Sequence, residues 1–140
     1  VPRLTVPAAR RLLAGARVAR LATVTAGGAP HLVPVTFVLS GDVLYTAVDQ
    51  KPKATTALRR LANIRAQPRV SVLADYYAED WGRLWWVRAD GTAAVTDEPD
   101  AMAGPAALLA SRYPQYRQQP PRGPLIAVTI TSWAGWAASG

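Results

Sequence analysis

The sequence predicts a mainly β, α+β fold: a small barrel of six antiparallel strands with flanking helices, in one domain spanning residues 1–140. Three features predict it. Apolar residues alternate with a period of two in several short segments. Tight turns rich in Gly, Pro, Asp and Ser separate those segments, which implies antiparallel neighbours. Only a few stretches carry helical spacing, and six short strands with few helices suit a barrel.

The elements follow in order. Thr5 is placed to cap a helix with Pro7 in its first turn, Leu12 and Leu13 on its buried side, and Gly15 as its stop. Arg17 to Thr25 reads as a strand, and Ala26-Gly27-Gly28-Ala29-Pro30 as a turn. His31 to Leu39 is one strand, apolar on both faces and so expected to be covered on both; Pro34 puts it at a sheet edge or beside a bulge. Ser40-Gly41-Asp42 turns into a third strand, Val43 to Val48. After the polar break at 49–53, Ala54, Ala57, Leu58, Leu61 and Ile64 recur at helical spacing until Pro68. Arg69 to Tyr77 is a fourth strand and Leu84 to Thr96 a long fifth, bent at Gly91. Asp97-Glu98-Pro99 opens a helix that ends near Tyr113-Pro114; Gln115 to Pro124 reads as a loop, and Leu125 to Thr131 as the last strand.

Composition narrows the function. The chain has no cysteine, which excludes a disulfide framework, a thiolate zinc site and a cysteine nucleophile. With no apolar run of membrane-spanning length and no signal-peptide pattern at Val1-Pro2-Arg3-Leu4, the expected setting is the cytoplasm. The net charge of +7 is lopsided: residues 1–70 hold 11 Lys or Arg against Asp42 and Asp49, while residues 71–140 hold 5 Arg against 7 acids. The first half attracts anions. Its basic residues are not interleaved with aromatics in a nucleic-acid motif, so no nucleic-acid partner is expected.

The usual catalytic side chains are scarce. His31 is the single histidine, so there is no His pair for a metal and no defensible Ser-His-Asp order. Asp75, Glu79 and Asp80 read as a solvated loop. Chemistry here falls to a cofactor. The strongest anion site is the Lys51-Pro52-Lys53 turn, just before the helix start at Ala54, where free N–H groups and the helix dipole favour a phosphate; Thr55 and Thr56 add hydroxyls. Trp85 and Trp86 must point to opposite faces of their strand.

Leu44-Tyr45-Thr46, Lys53, Leu58 and Pro68-Arg69-Val70-Ser71-Val72, in that order, resemble the pyridoxamine-phosphate-oxidase-like superfamily. Trp86-Val87-Arg88-Ala89-Asp90-Gly91 and the Pro34-Val35-Thr36-Phe37 strand continue the likeness, from about Leu12 to Trp136. The resemblance implies a split β-barrel homodimer with cofactor sites at the subunit interface. Pro34, Val35 and Thr36 would line the cofactor ring, Thr46 and Ala47 would flank its phosphate, and Lys53, with Lys51 beside it, would bind that phosphate. A partner subunit would contribute Trp86, Arg88 and the C-terminal aromatics Trp133 and Trp136.

The departures from the family pattern matter. Trp86 stands where the oxidase has glutamine, and the oxidase's C-terminal Arg-x-His is missing, which points away from pyridoxamine phosphate oxidation. The short, Ala- and Arg-rich chain is more similar to the actinobacterial branch that uses the deazaflavin coenzyme F420. F420 is more anionic than FMN, and Arg3, Arg10, Arg11, Arg17 and Arg20 supply charge beyond one phosphate's need. The resemblance thus implies an F420-dependent oxidoreductase acting on a small organic acceptor. An FMN-binding enzyme of the same fold, or a non-catalytic cofactor carrier, is the alternative.

Overall fold

The computed structural model describes residues 3–48 and 55–139. Helix α1 (Val6–Gly15) leads into strands β1 (Ala19–Val24), β2 (Pro30–Val35), β3 (Val38–Ser40) and β4 (Val43–Ala47). Helix α2 (Thr55–Ala66), β5 (Arg69–Tyr76), a 3-10 turn (Trp81–Arg83) and β6 (Trp85–Thr96) follow. Helices α3 (Pro99–Arg112) and α4 (Pro114–Gln118) precede β7 (Leu125–Ala137). The local signals work as expected at the first helix: the Thr5 hydroxyl accepts from the Ala8 N–H at 3.2 Å, and Pro7 sits in the first turn.

All seven strands form one antiparallel sheet in the order β2-β1-β5-β6-β7-β4-β3. Its two outermost strands, β2 and β3, are joined through Thr36 and Phe37 alone. A flat sheet of this width would hold them about 29 Å apart, whereas the step from Val35 to Val38 spans at most about 11 Å. The sheet therefore curls back on itself as a split barrel.

That junction corrects the expectation of six strands. His31 to Leu39 is not one strand; it breaks at Thr36–Phe37, so that β2 pairs with β1 while β3 pairs with β4. Period-two alternation runs through the break unchanged, so the break leaves no mark in the pattern. Nor is this strand covered on both faces within the protomer: Leu32 is 65% exposed. Pro34 does lie on an edge strand, opposite Arg20. Two other bounds move. The last strand runs on to Ala137 rather than Thr131, because pairing with Trp85–Asp90 of β6 carries it through Ser132–Gly135. The stretch read as a loop from Gln115 begins inside a short helix, with Pro114 at its first turn.

The core lies inside the curl. Leu13 from α1 and Phe37 from the β2–β3 junction meet Leu21, Leu44, Val72, Val87, Ile126 and Val128 from the strands, all fully buried. Trp85 packs against this cluster, while Trp86 faces out. A smaller cluster under α3 joins Met102, Leu109, Tyr113 and Leu125. The bend at Gly91 is a bulge: Asp90 pairs with Ser132 but Gly91 with Ile130, leaving Thr131 unmatched. A Cβ at Gly91 would lie 2.1 Å from the Thr129 carbonyl oxygen, so only glycine fits this approach. No helix among the described residues is long and apolar enough to cross a membrane.

Candidate functional site

The strand break exposes main-chain groups that a continuous ladder would have paired, and side chains take them up. The Thr46 hydroxyl donates to the Thr36 carbonyl at 2.7 Å. The Phe37 N–H donates to the Tyr113 hydroxyl at 3.1 Å. Arg112, at the end of α3, donates to the Phe37 carbonyl at 2.9 Å and also to the Ala16 carbonyl. Its guanidinium lies 4.8 Å from the Phe37 ring centre. Burial holds the Arg112 pKa below its usual value; the nearby Tyr113 opposes this and Arg17 adds to it.

Thr36, Thr46 and Ala47 are thus brought together at the seam, with Tyr116 3.0 Å from the Thr36 hydroxyl. Tyr113 is committed: its hydroxyl also lies 3.0 Å from the Arg17 and Phe37 carbonyls, so its proton is held by main chain. Tyr116 is the tyrosine at the seam whose hydroxyl meets only another hydroxyl among the described residues. Val35 points into the core and Pro34 out of it.

A second group lies on the outer face of the sheet. The register lines up Pro34, Arg20, Leu73, Arg88 and Ala134 in one row across five strands. The adjoining row is Leu32, Ala22, Ser71, Asp90 and Ser132. Asp90 joins them, accepting from Ser71 Oγ at 2.6 Å and from Arg88 Nε at 3.2 Å. Trp86 stands two residues before Arg88 on this face, paired with Asp75 and Trp136. A groove of about 580 Å³ runs beside the bulge between Ala22, Ser71, Asp90, Thr92, Thr131 and Ser132.

One protomer does not unite these groups. Thr46 registers with Ile126 on β7, and Ile126 with Val95 on β6. Val95 lies seven residues from Arg88 in the sequence, which is about 23 Å along the strand. Trp133 is separate again: it packs inward on the core, with the Arg10 guanidinium 5.5 Å from its ring centre. Lys51 and Lys53 lie outside the described residues.

One observation bears on an anionic cofactor. On α2, which follows the Lys51–Lys53 segment, Arg60 Nε is buried without a hydrogen-bond partner among the described residues, and burial lowers the Arg60 pKa. An anion is one partner that would complete this N–H. Among the described residues no three His, Cys, Asp or Glu side chains group as a metal site. Asp80 instead caps the 3-10 turn, accepting from the Gly82 N–H at 3.0 Å, and Asp75 lies 3.9 Å from Arg20.

Sequence reasoning missed Arg112 and Arg60; it singled out Arg88 but not the bonds that tie Arg88 and Ser71 to Asp90. No local signal marks Arg112, since its acceptors are 75 and 96 residues away. Ser71 and Asp90 were findable, because counting the register of the β5–β6 pair places them opposite one another.

Comparison with known proteins agrees with this architecture. No protein of curated function matches the chain. An FAD-binding protein from Mesorhizobium loti superposes with a TM-score of 0.75 at 21% identity, covering 96% of this chain and 95% of that one. The FAD-binding protein from Mycobacterium smegmatis gives 0.67 at 17% identity, covering 97% of each chain. HutZ, the heme storage protein from Vibrio cholerae, gives 0.72 at 16% identity, covering 94% of this chain and 93% of that one. At such identities the likeness is one of fold. The family model for pyridoxamine 5'-phosphate oxidase matches residues 5–137, from the cap of α1 to the end of β7, and the chain belongs to that family.

Proposed function

We propose that two copies of this chain form a cytoplasmic homodimer that binds coenzyme F420 at the subunit boundary and reduces a small organic acceptor. The observation that carries this reading is the separation of Thr46 and Ala47 from Arg88 along the sheet. The offset of about 23 Å follows from the register, and a two-fold axis can set one group against the other. The outer face has the character of an interface: Leu32, Leu73 and Trp86 are exposed beside Arg20 and Arg88.

In this reading the bound deazaflavin supplies the hydride. Lys51, Lys53 and Arg60 hold its phosphate and acidic tail, and the Thr36 hydroxyl lies alongside. Pro34 flanks the ring and Trp86 shields it from water. Arg88, oriented by Asp90, fixes the acceptor or the cofactor tail across the boundary. Tyr116 is the side chain at the seam able to hold a proton for the acceptor.

FMN or FAD is the second reading, and the FAD-binding proteins of like fold favour it. The first reading rests on the surplus of cations in residues 1–70, 11 against two acids, which exceeds what one phosphate requires. Titrating the purified protein with F420, FMN and FAD separates them. F420 is expected to bind at least about tenfold more tightly. Tighter flavin binding reverses the order, and binding of none of the three ends the proposal.

A further inference from the structure

A second cavity lies away from both groups, at the end of the barrel covered by α1. It is a hollow of about 330 Å³ that is open to solvent on one side. Its lining is mixed: Leu4, Leu12, Leu84 and Trp85 form an apolar side, of which Leu4, Leu12 and Trp85 also pack on the main core, and Ser139 adds a hydroxyl. Two cations, Arg11 from α1 and Arg83 from the 3-10 turn, line it as well, and no acidic side chain does.

The cavity is held open by main chain and tight packing. The Leu4 N–H donates to the Gly135 carbonyl at 3.1 Å, and Arg3 bridges to Trp136, so the segment before α1 is pinned to β7. A Cβ at Gly135 would come within 2.9 Å of the Leu4 side chain, so this wall is closely fitted. On the other side the Ala138 N–H donates to the Leu84 carbonyl and Ser139 Oγ to the Gly82 carbonyl, both at 2.9 Å. Arg83 is steadied by the Tyr76 ring, 5.5 Å from its guanidinium. That stacking orients the charge without neutralising it.

Arg11 and Arg83, both exposed, set two like charges from separate elements on one hollow, and their mutual repulsion is weakened by solvent. An anion between them relieves the repulsion, and an apolar tail fills the hole. We infer that this cavity is a binding site for a medium-chain carboxylate: the hydrocarbon chain against Leu4, Leu12, Leu84 and Trp85, the carboxylate between Arg11 and Arg83. The volume holds about eleven non-hydrogen atoms at ~30 Å³ each, which an eight-carbon acid matches. Arg11 is one of the cations counted in residues 1–70, but none of the residues lining this cavity is among those proposed to hold the cofactor.

Calorimetric titration of the full chain with octanoate, and with octanol as its uncharged counterpart, tests it. Saturable octanoate binding is expected with a Kd below about 1 mM, tighter than octanol. Arg11→Ala/Arg83→Ala, both exposed positions, should weaken octanoate by about tenfold or more and leave octanol unchanged. Ala8→Phe, which fills the mouth from a half-buried lining position, should abolish both. Equal affinity for acid and alcohol, indifference to loss of the arginines, or the absence of saturable binding overturns the inference. An unchanged circular dichroism melt for each variant separates lost binding from lost fold.

Discussion

Arg112 stacks its guanidinium 4.8 Å over the Phe37 ring and donates to the carbonyl of the same residue at 2.9 Å. One side chain thus stabilises the point where the sheet changes direction. Replacing it removes charge-assisted bonds to the Phe37 and Ala16 carbonyls, of which Phe37 keeps the Tyr113 hydroxyl as a partner. Arg112→Ala should lower unfolding stability by about 2–3 kcal/mol, read as an earlier urea midpoint. Arg112→Lys should restore less than half, because an ammonium cannot bridge two carbonyls and stack at once. A variant as stable as the parent contradicts the role of the seam.

The two glycines Gly91 and Gly104 should respond in opposite directions to the same substitution. At Gly91 an added methyl meets the Thr129 carbonyl at 2.1 Å, so Gly91→Ala should cost about 2–4 kcal/mol or prevent folding. At Gly104, inside α3, nothing lies within 4 Å. Gly104→Ala should stabilise by about 0.5–1 kcal/mol. Thermal melts of both variants check the pair.

The expected fold class was legible because its signals are local. Thr5 and Pro7 mark α1, and Gly91 marks the bulge, through steric and hydrogen-bonding rules that act within a few residues. The break at Thr36–Phe37 was not legible: what ends the ladder is Thr46, Arg112 and Tyr113 reaching those carbonyls and N–H groups from distant segments. Ser132–Gly135 joins β7 for a similar reason, through pairing with β6 rather than any alternation of its own. The candidate site divides the same way. Thr36, Thr46 and Ala47 do meet, while Trp133 turns inward, away from Trp86 and Arg88 on the outer face.

Tyr116 and Tyr113 carry a functional contrast. Tyr113 is tied to main chain on both sides of the seam, whereas Tyr116 meets the Thr36 hydroxyl at 3.0 Å. Tyr113→Phe should therefore lower stability by about 1–2 kcal/mol with turnover per folded molecule kept within about twofold. Tyr116→Phe should lower turnover by about tenfold or more and leave the melting temperature nearly unchanged. Single-turnover rates with reduced cofactor, set beside thermal melts, distinguish the two.

Lys53 and Arg60 should act on affinity alone. Lys53→Ala is expected to weaken cofactor binding by about tenfold or more, and Arg60→Gln by a similar factor. Both losses should shrink as salt is raised, because part of the attraction is screened. Fluorescence titration at two ionic strengths checks this; salt-independent losses would point to a structural cause.

Complementation between two inactive variants probes the sharing of one site by two copies most directly. A chain carrying Lys53→Ala and Thr36→Val and a chain carrying Trp86→Ala and Arg88→Ala should each bind cofactor poorly alone. After mixing and subunit exchange, half the dimers pair one of each, and each such dimer rebuilds one intact site. Binding should return to about a quarter of the parent's site number. A mixture that binds no better than its separate components would contradict the account, as would a protein that binds cofactor fully while sedimenting as a monomer.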